Sequence, residues 1–171
     1  MKGYVQVYTG AGKGKTTAAL GLAMRAAGAG IRVFIAQFVK GMKYSELNAI
    51  ERFSDLITIK QYGRDCFIYQ VPKDEDILAA REGLREVKDI VFSGLYPLVI
   101  LDEASIASYY NRFSLEEVLE LIDKKPETVE LVLTGRNAHP SIMERADLVT
   151  EMREVKHYYA KGVQARTGIQ R

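Results

Sequence analysis

The chain has 171 residues, with 24 Lys and Arg against 22 Asp and Glu, for a net charge of +2. That length fits one domain spanning residues 1–171 with a sizeable core, and so mild a charge gives no reason to expect nucleic acid or an anionic membrane as partner. The single cysteine, Cys66, rules out an internal disulfide, no apolar run reaches the roughly 20 residues that span a bilayer, and a reducing cytoplasm is the expected setting.

The chain enters a β-rich run at residues 4–8 with no signal-peptide pattern before it, so none is expected. A glycine loop follows. Residues 16–27, rich in Ala, Leu and Met, favour helix, and Gly28-Ala29-Gly30 stops it. Residues 31–38 read as a second strand, 45–53 weakly as helix, and 56–61 as a third strand. Between residues 74 and 94, Ile77, Ala80, Leu84, Val87 and Val91 keep helical spacing. Leu98 to Leu101 is continuously apolar, as a strand buried on both faces requires. Ser114 and Glu117 form a capping-box pattern that opens a helix ending before Pro126. Residues 129–133 and 148–152 read as strands, and Pro140 suits the first turn of a short helix through Arg145. Strands alternating with helices predict an α/β fold of three layers: a mostly parallel sheet with helices on both faces. Such sheets bind ligands at the carboxyl ends of their strands.

The loop Thr9-Gly10-Ala11-Gly12-Lys13-Gly14-Lys15-Thr16-Thr17 lies between a strand and a helix, the setting a P-loop needs. Glycines allow a tight turn whose N–H groups converge into an anion nest, and the helix N-terminus adds its partial positive charge. Lys15 adds a full charge for phosphate, and the Thr16 hydroxyl suits Mg²⁺. The strict pattern has Gly where Thr9 stands, so the match is relaxed. Leu98-Val99-Ile100-Leu101-Asp102-Glu103 is a buried strand ending in two acids, the Walker B pattern. Asp102 is expected to hold Mg²⁺ through water, and Glu103 to meet water, metal or substrate. Gln37-Phe38-Val39-Lys40-Gly41 could turn polar groups to the nucleotide or be an ordinary strand exit. Arg136, in Thr134-Gly135-Arg136-Asn137, could neutralise phosphate or sit in a surface turn. Phe67 and Tyr69 could line an apolar pocket for a planar ligand, or be satellite core. Lys156-His157-Tyr158-Tyr159 reads first as a packed tail, and with only His139 and His157 available a multi-histidine zinc site is not expected.

Taken in series, several segments resemble the P-loop type of ATP:corrinoid adenosyltransferase. They are the loop through Ala19, Gln37 to Gly41, Leu101-Asp102-Glu103, Leu133 to His139, Ala146 to Met152, Val155-Lys156-His157, and Gly162 to Ile169. The resemblance covers nearly the whole chain, and Thr at the first loop position is usual in that family. It implies a RecA-like sheet and a homodimer. It implies transfer of the 5′-deoxyadenosyl group of ATP to a reduced cob(I) corrinoid, with triphosphate leaving whole. ATP would lie reversed in the loop, with Mg²⁺ or Mn²⁺ and a flavoprotein-type electron donor. Lys15 and Glu103 would be catalytic. Gly10, Ala11, Gly12, Lys13, Gly14, Lys15, Thr16, Thr17, Gln37, Lys40 and Arg136 would hold ATP. Thr16, Asp102 and Glu103 would hold metal, and Phe67 and Tyr69 would face the lower side of the corrinoid. Some members add an N-terminal lid, whereas here the first strand starts almost at once, so the lid comes from elsewhere or the site is more open. A RecA-like ATPase or kinase with ordinary ATP orientation, and a non-catalytic corrinoid-binding protein, are the alternatives.

Overall fold

The structure is a computed structural model, and it describes residues 2–39, 45–63 and 73–169. Six strands form: β1 (Val5–Thr9), β2 (Val33–Phe38), β3 (Ile57–Tyr62), β4 (Leu98–Asp102), β5 (Glu130–Thr134) and β6 (Leu148–Glu151). Every pairing is parallel, and the order across the sheet is β3-β2-β4-β5-β1-β6. The helices are α1 (Lys15–Gly28), α2 (Ser45–Ile50), α3 (Asp74–Ser93), α4 (Ala104–Tyr109), α5 (Leu115–Lys124) and α6 (Pro140–Arg145).

Side chains alternate across a strand, so each strand serves two cores. In β2, Val33 and Ile35 pack with Ala19, Ala23 and Ala26 of α1 and Ile50 of α2. Phe34, Ala36 and Phe38 face the other way, onto Ala80, Leu84, Val87 and Val91 of α3 and Val118, Leu121 and Ile122 of α5. This is the expected three-layer arrangement, and it explains why β2 and β4 are buried along their whole length. Small alanines on α1 let that helix lie close to the sheet, which carries its N-terminus to the carboxyl edge beside β4 and β5. The capping box also forms, with Glu117 N–H donating to Ser114 Oγ at 3.2 Å and Ser114 N–H donating to Glu117 Oε2 at 3.0 Å. Such a cap contributes about 1 kcal/mol.

Two elements differ from the sequence reading. The second strand starts at Val33, because Ile31 N–H is still tied to the end of α1 through Ala26 O at 3.0 Å. Helix α4 has no counterpart in the reading. Its six residues are too few for a helical period to show, and it springs from Glu103, whose φ of 61° is left-handed.

Candidate active site

Strand β1 delivers Thr9 to the carboxyl edge, where its hydroxyl accepts Ala138 N–H at 3.3 Å. A glycine there would lack that anchor, a physical reason for Thr in place of Gly at the first loop position. The chain then turns through Gly10 (φ 97°) and Gly14 (φ 118°), both left-handed, into α1. No side chain caps α1, so its first N–H groups are left for an anion. Glycine is also needed for close approach. A Cβ on Gly10 would lie 2.4 Å from the Met152 carbonyl oxygen, and one on Gly12 2.6 Å from it. The exit of β6 is laced to the loop, with Gly12 N–H donating to Met152 O at 2.6 Å and Met152 N–H donating to Thr9 O at 2.8 Å. The sequence reading did not anticipate this brace, because it depends on β6 pairing beside β1.

Lys15 is buried, and its ammonium donates to Gly10 O at 2.7 Å and Gly12 O at 2.8 Å. Burial lowers its pKa from the ordinary 10.5; Glu103 and Asp102 pull it back up, and the Arg136 charge lowers it further. These influences place Glu103, Asp102 and Arg136 within electrostatic reach of the loop lysine. Ala11, Lys13, Thr17 and Arg136 are exposed, and Gly14 and Thr16 are half-buried.

Asp102, 1 % exposed, is the hub of the edge. Its Oδ1 accepts the hydroxyls of Thr16 at 2.8 Å and Thr134 at 2.7 Å, and its Oδ2 accepts the Gln37 amide at 3.3 Å. Gln61 donates to Gln37 Oε1 at 3.1 Å, extending the chain to β3. Thr134 Oγ1 also accepts Glu103 N–H at 3.0 Å, holding the second acid at the strand tip. Gln37, read from the sequence as a group that might face the nucleotide, is wholly buried with its amide turned onto the acid. Thr134 as a partner of Asp102 was not anticipated either. The signal for it is the neighbouring of β4 and β5, where Leu101 pairs with Leu133, and that becomes visible only once the strand order is known. Lys40, Phe67 and Tyr69 lie outside the described residues.

A hydroxyl and a carboxylate oxygen 2.8 Å apart form a hard, all-oxygen donor pair. Among the described residues no group of three His, Cys, Asp or Glu side chains could hold a metal. Magnesium bound jointly with phosphates needs no such cage, since one or two carboxylates and several waters are enough. The Thr16–Asp102 pair therefore fits a nucleotide-borne Mg²⁺.

The family model for ATP:corrinoid adenosyltransferase BtuR/CobO/CobP matches residues 1–170. The chain is 36% identical over 170 residues to the corrinoid adenosyltransferase of Escherichia coli, covering 98% of this chain and 85% of that one. It is likewise 36% identical over 170 residues to the corrinoid adenosyltransferase CobA of Salmonella typhimurium, with coverage of 98% and 85%. Against the corrinoid adenosyltransferase of a Sinorhizobium species it is 34% identical over 172 residues, covering 99% of this chain and 80% of the relative.

Proposed function

The chain belongs to the ATP:corrinoid adenosyltransferase family, and on that premise we propose that it transfers the 5′-deoxyadenosyl group of ATP to the cobalt of a reduced corrinoid. A carbon–cobalt bond forms as the bond between the 5′ carbon and its oxygen breaks, and both electrons of the new bond come from cob(I). Inorganic triphosphate leaves with the electrons of the broken bond. The product serves adenosylcobalamin biosynthesis or salvage.

The observation that carries this reading is the joining of Lys15, Thr16 and Asp102 at one sheet edge, within a chain matched end to end by the family. Cob(I) is itself a strong nucleophile, so the protein need supply none. Its tasks are to hold the 5′ carbon in line with cobalt and to stabilise the departing charge. The α1 N-terminus and Lys15 receive triphosphate oxygens, and Lys15 exchanges its two loop carbonyls for them. Arg136, exposed at the rim, adds a second cation. Thr16 and Asp102 would hold Mg²⁺ or Mn²⁺, with Glu103 beside them. When bound, that metal neutralises charge on the triphosphate. Gln37 and Thr134 keep the Asp102 carboxylate in one orientation. ATP lies reversed relative to kinases, which points its 5′ carbon out of the loop towards the corrinoid.

The chain acts as one domain and as a homodimer. All four residues of the edge strand β6 are exposed, including Leu148 and Val149 at 44% each, a surface that a second copy would cover. A separate flavoprotein-type donor reduces the corrinoid. The setting is cytoplasmic; among the described residues no helix is long and apolar enough to cross a membrane.

The test is anaerobic incubation with ATP, Mg²⁺ and chemically reduced cobalamin. The spectrum of adenosylcobalamin supports the proposal. ADP and phosphate without any alkylated corrinoid would instead establish an ATPase, and binding without product a corrinoid carrier.

A further inference from the structure

Three neighbouring strands change character in the same row of the sheet. On the face towards α1, β3 runs Ile57, Ile59, Gln61, β2 runs Val33, Ile35, Gln37, and β4 runs Leu98, Ile100, Asp102. The register sets Gln61 beside Gln37 and Gln37 beside Asp102. The row beneath, Ile59, Ile35 and Ile100, is apolar core. The polar row ends on the carboxylate that takes the Thr16 hydroxyl.

This row has a direction. A metal-binding carboxylate is ionised and only accepts hydrogen bonds, so Gln37 must turn its Nε2 towards Asp102, as it does at 3.3 Å. Its Oε1 then faces β3 from a side chain that is 0 % exposed. A carbonyl oxygen so buried needs a donor. Gln61 Nε2 supplies it at 3.1 Å, and among the described residues no further hydrogen bond reaches the Gln37 side chain. The two ends of a glutamine amide are nearly the same in shape, so packing alone does not choose between them. Without a donor on β3, Gln37 loses what opposes its turning over, and the turned amide sets an oxygen against the carboxylate.

Resting on the reading that Asp102 serves the metal carried by ATP, we propose that Gln61 is a positioning residue for that metal. Its amide fixes which end of Gln37 faces Asp102, and Gln37 holds the carboxylate with Oδ1 towards Thr16. What matters in Gln61 is its donor and not its bulk. A half-buried side chain on the edge strand β3 thereby sets the metal's contribution to ATP binding, with the whole width of β2 between it and Asp102.

The test is calorimetry of ATP binding with saturating Mg²⁺ and again with EDTA, with no corrinoid present. The ratio of the two affinities reads the metal's contribution. Gln61→Met keeps the length and loses the donor; Gln61→Glu keeps the shape and turns the donor into an acceptor. Gln61→Met should cut the ratio about tenfold, or to one where the wild-type ratio is smaller, the low end of what loss of a group behind a metal ligand costs. The affinity in EDTA should not change. Gln61→Glu should cut the ratio at least as far, although an added carboxylate acting by charge alone would favour the cation and raise it. In a Gln37→Leu background Gln61→Met should cost nothing more, because it acts through Gln37. An unchanged or higher ratio in either variant, an equal loss of affinity in EDTA, or full additivity with Gln37→Leu would overturn the inference and leave the proposed transfer standing. A wild-type ratio of one would overturn the metal's role and the inference with it, while the corrinoid product decides the transfer separately. Should Gln61→Met not fold, Gln61→Glu decides alone.

Discussion

The Thr16 hydroxyl donates to Asp102 Oδ1 at 2.8 Å, joining two residues 86 positions apart in the chain. The phosphate loop and the acidic strand thus meet through the pair of oxygens that suits a magnesium ion. Gln37 reaches the same carboxylate from a fully buried position and is closed off from solvent. Gln37→Leu should therefore weaken the response to Mg²⁺ by roughly 10- to 100-fold, as loss of a group that orients a metal ligand commonly does. Binding of ATP without metal should hardly change. Titrating Mg²⁺ at fixed ATP checks this; an equal loss of metal-free ATP affinity would show that Gln37 acts in another way.

Lys15 rests on two loop carbonyls that are themselves part of the nest. Lys15→Ala removes the loop's buried cation, Lys13 beside it being exposed. Loss of one preorganised charge at a developing anion costs about 10²- to 10³-fold in kcat. Single-turnover rates at saturating ATP measure it, and a change confined to KM would mean that Lys15 binds substrate without stabilising the departing triphosphate.

The lowered pKa of Lys15 has a readable sign. Burial disfavours its charge in the free protein, so it loses its proton below the ordinary 10.5. A bound triphosphate favours the ammonium and raises its pKa. Binding therefore takes up a proton in the alkaline range, and affinity falls with rising pH earlier than a solvated lysine would allow. Calorimetry of ATP binding in two buffers of different ionisation enthalpy should show the uptake growing from neutral to alkaline pH. Lys15→Arg, which stays charged, should show none.

Gly10 and Gly12 touch the Met152 carbonyl, and Gly10 also has a left-handed φ. Either glycine changed to Ala should lower stability by about 2–4 kcal/mol, from overpacking and, at Gly10, strain as well. Gly21 is the control: it lies in α1 with nothing within 4 Å of a built Cβ. Gly21→Ala should raise stability by about 0.5–1 kcal/mol. Chemical denaturation of the three variants separates them.

Much of this site was legible because its chemistry is local. The glycine loop and the strand ending in Asp102-Glu103 each occupy a few consecutive residues, and their periodicity marks the flanking elements. What escaped depends on strands that become neighbours only in the fold. Thr134 reaches Asp102 because β5 lies beside β4, and Met152 braces Gly12 because β6 lies beside β1. Gln37 had a polar side chain at a strand end, and nothing in the sequence says whether such a group turns outward or, as here, onto a buried acid. Helix α4 was hidden by its shortness.

The central claim is that the triphosphate leaves in one piece. Phosphorus NMR of the products, after anaerobic turnover with ATP, Mg²⁺ and a cob(I) corrinoid, measures this directly. The account predicts inorganic triphosphate in a one-to-one ratio with the alkylated corrinoid. ADP and orthophosphate appearing in step with turnover would contradict it.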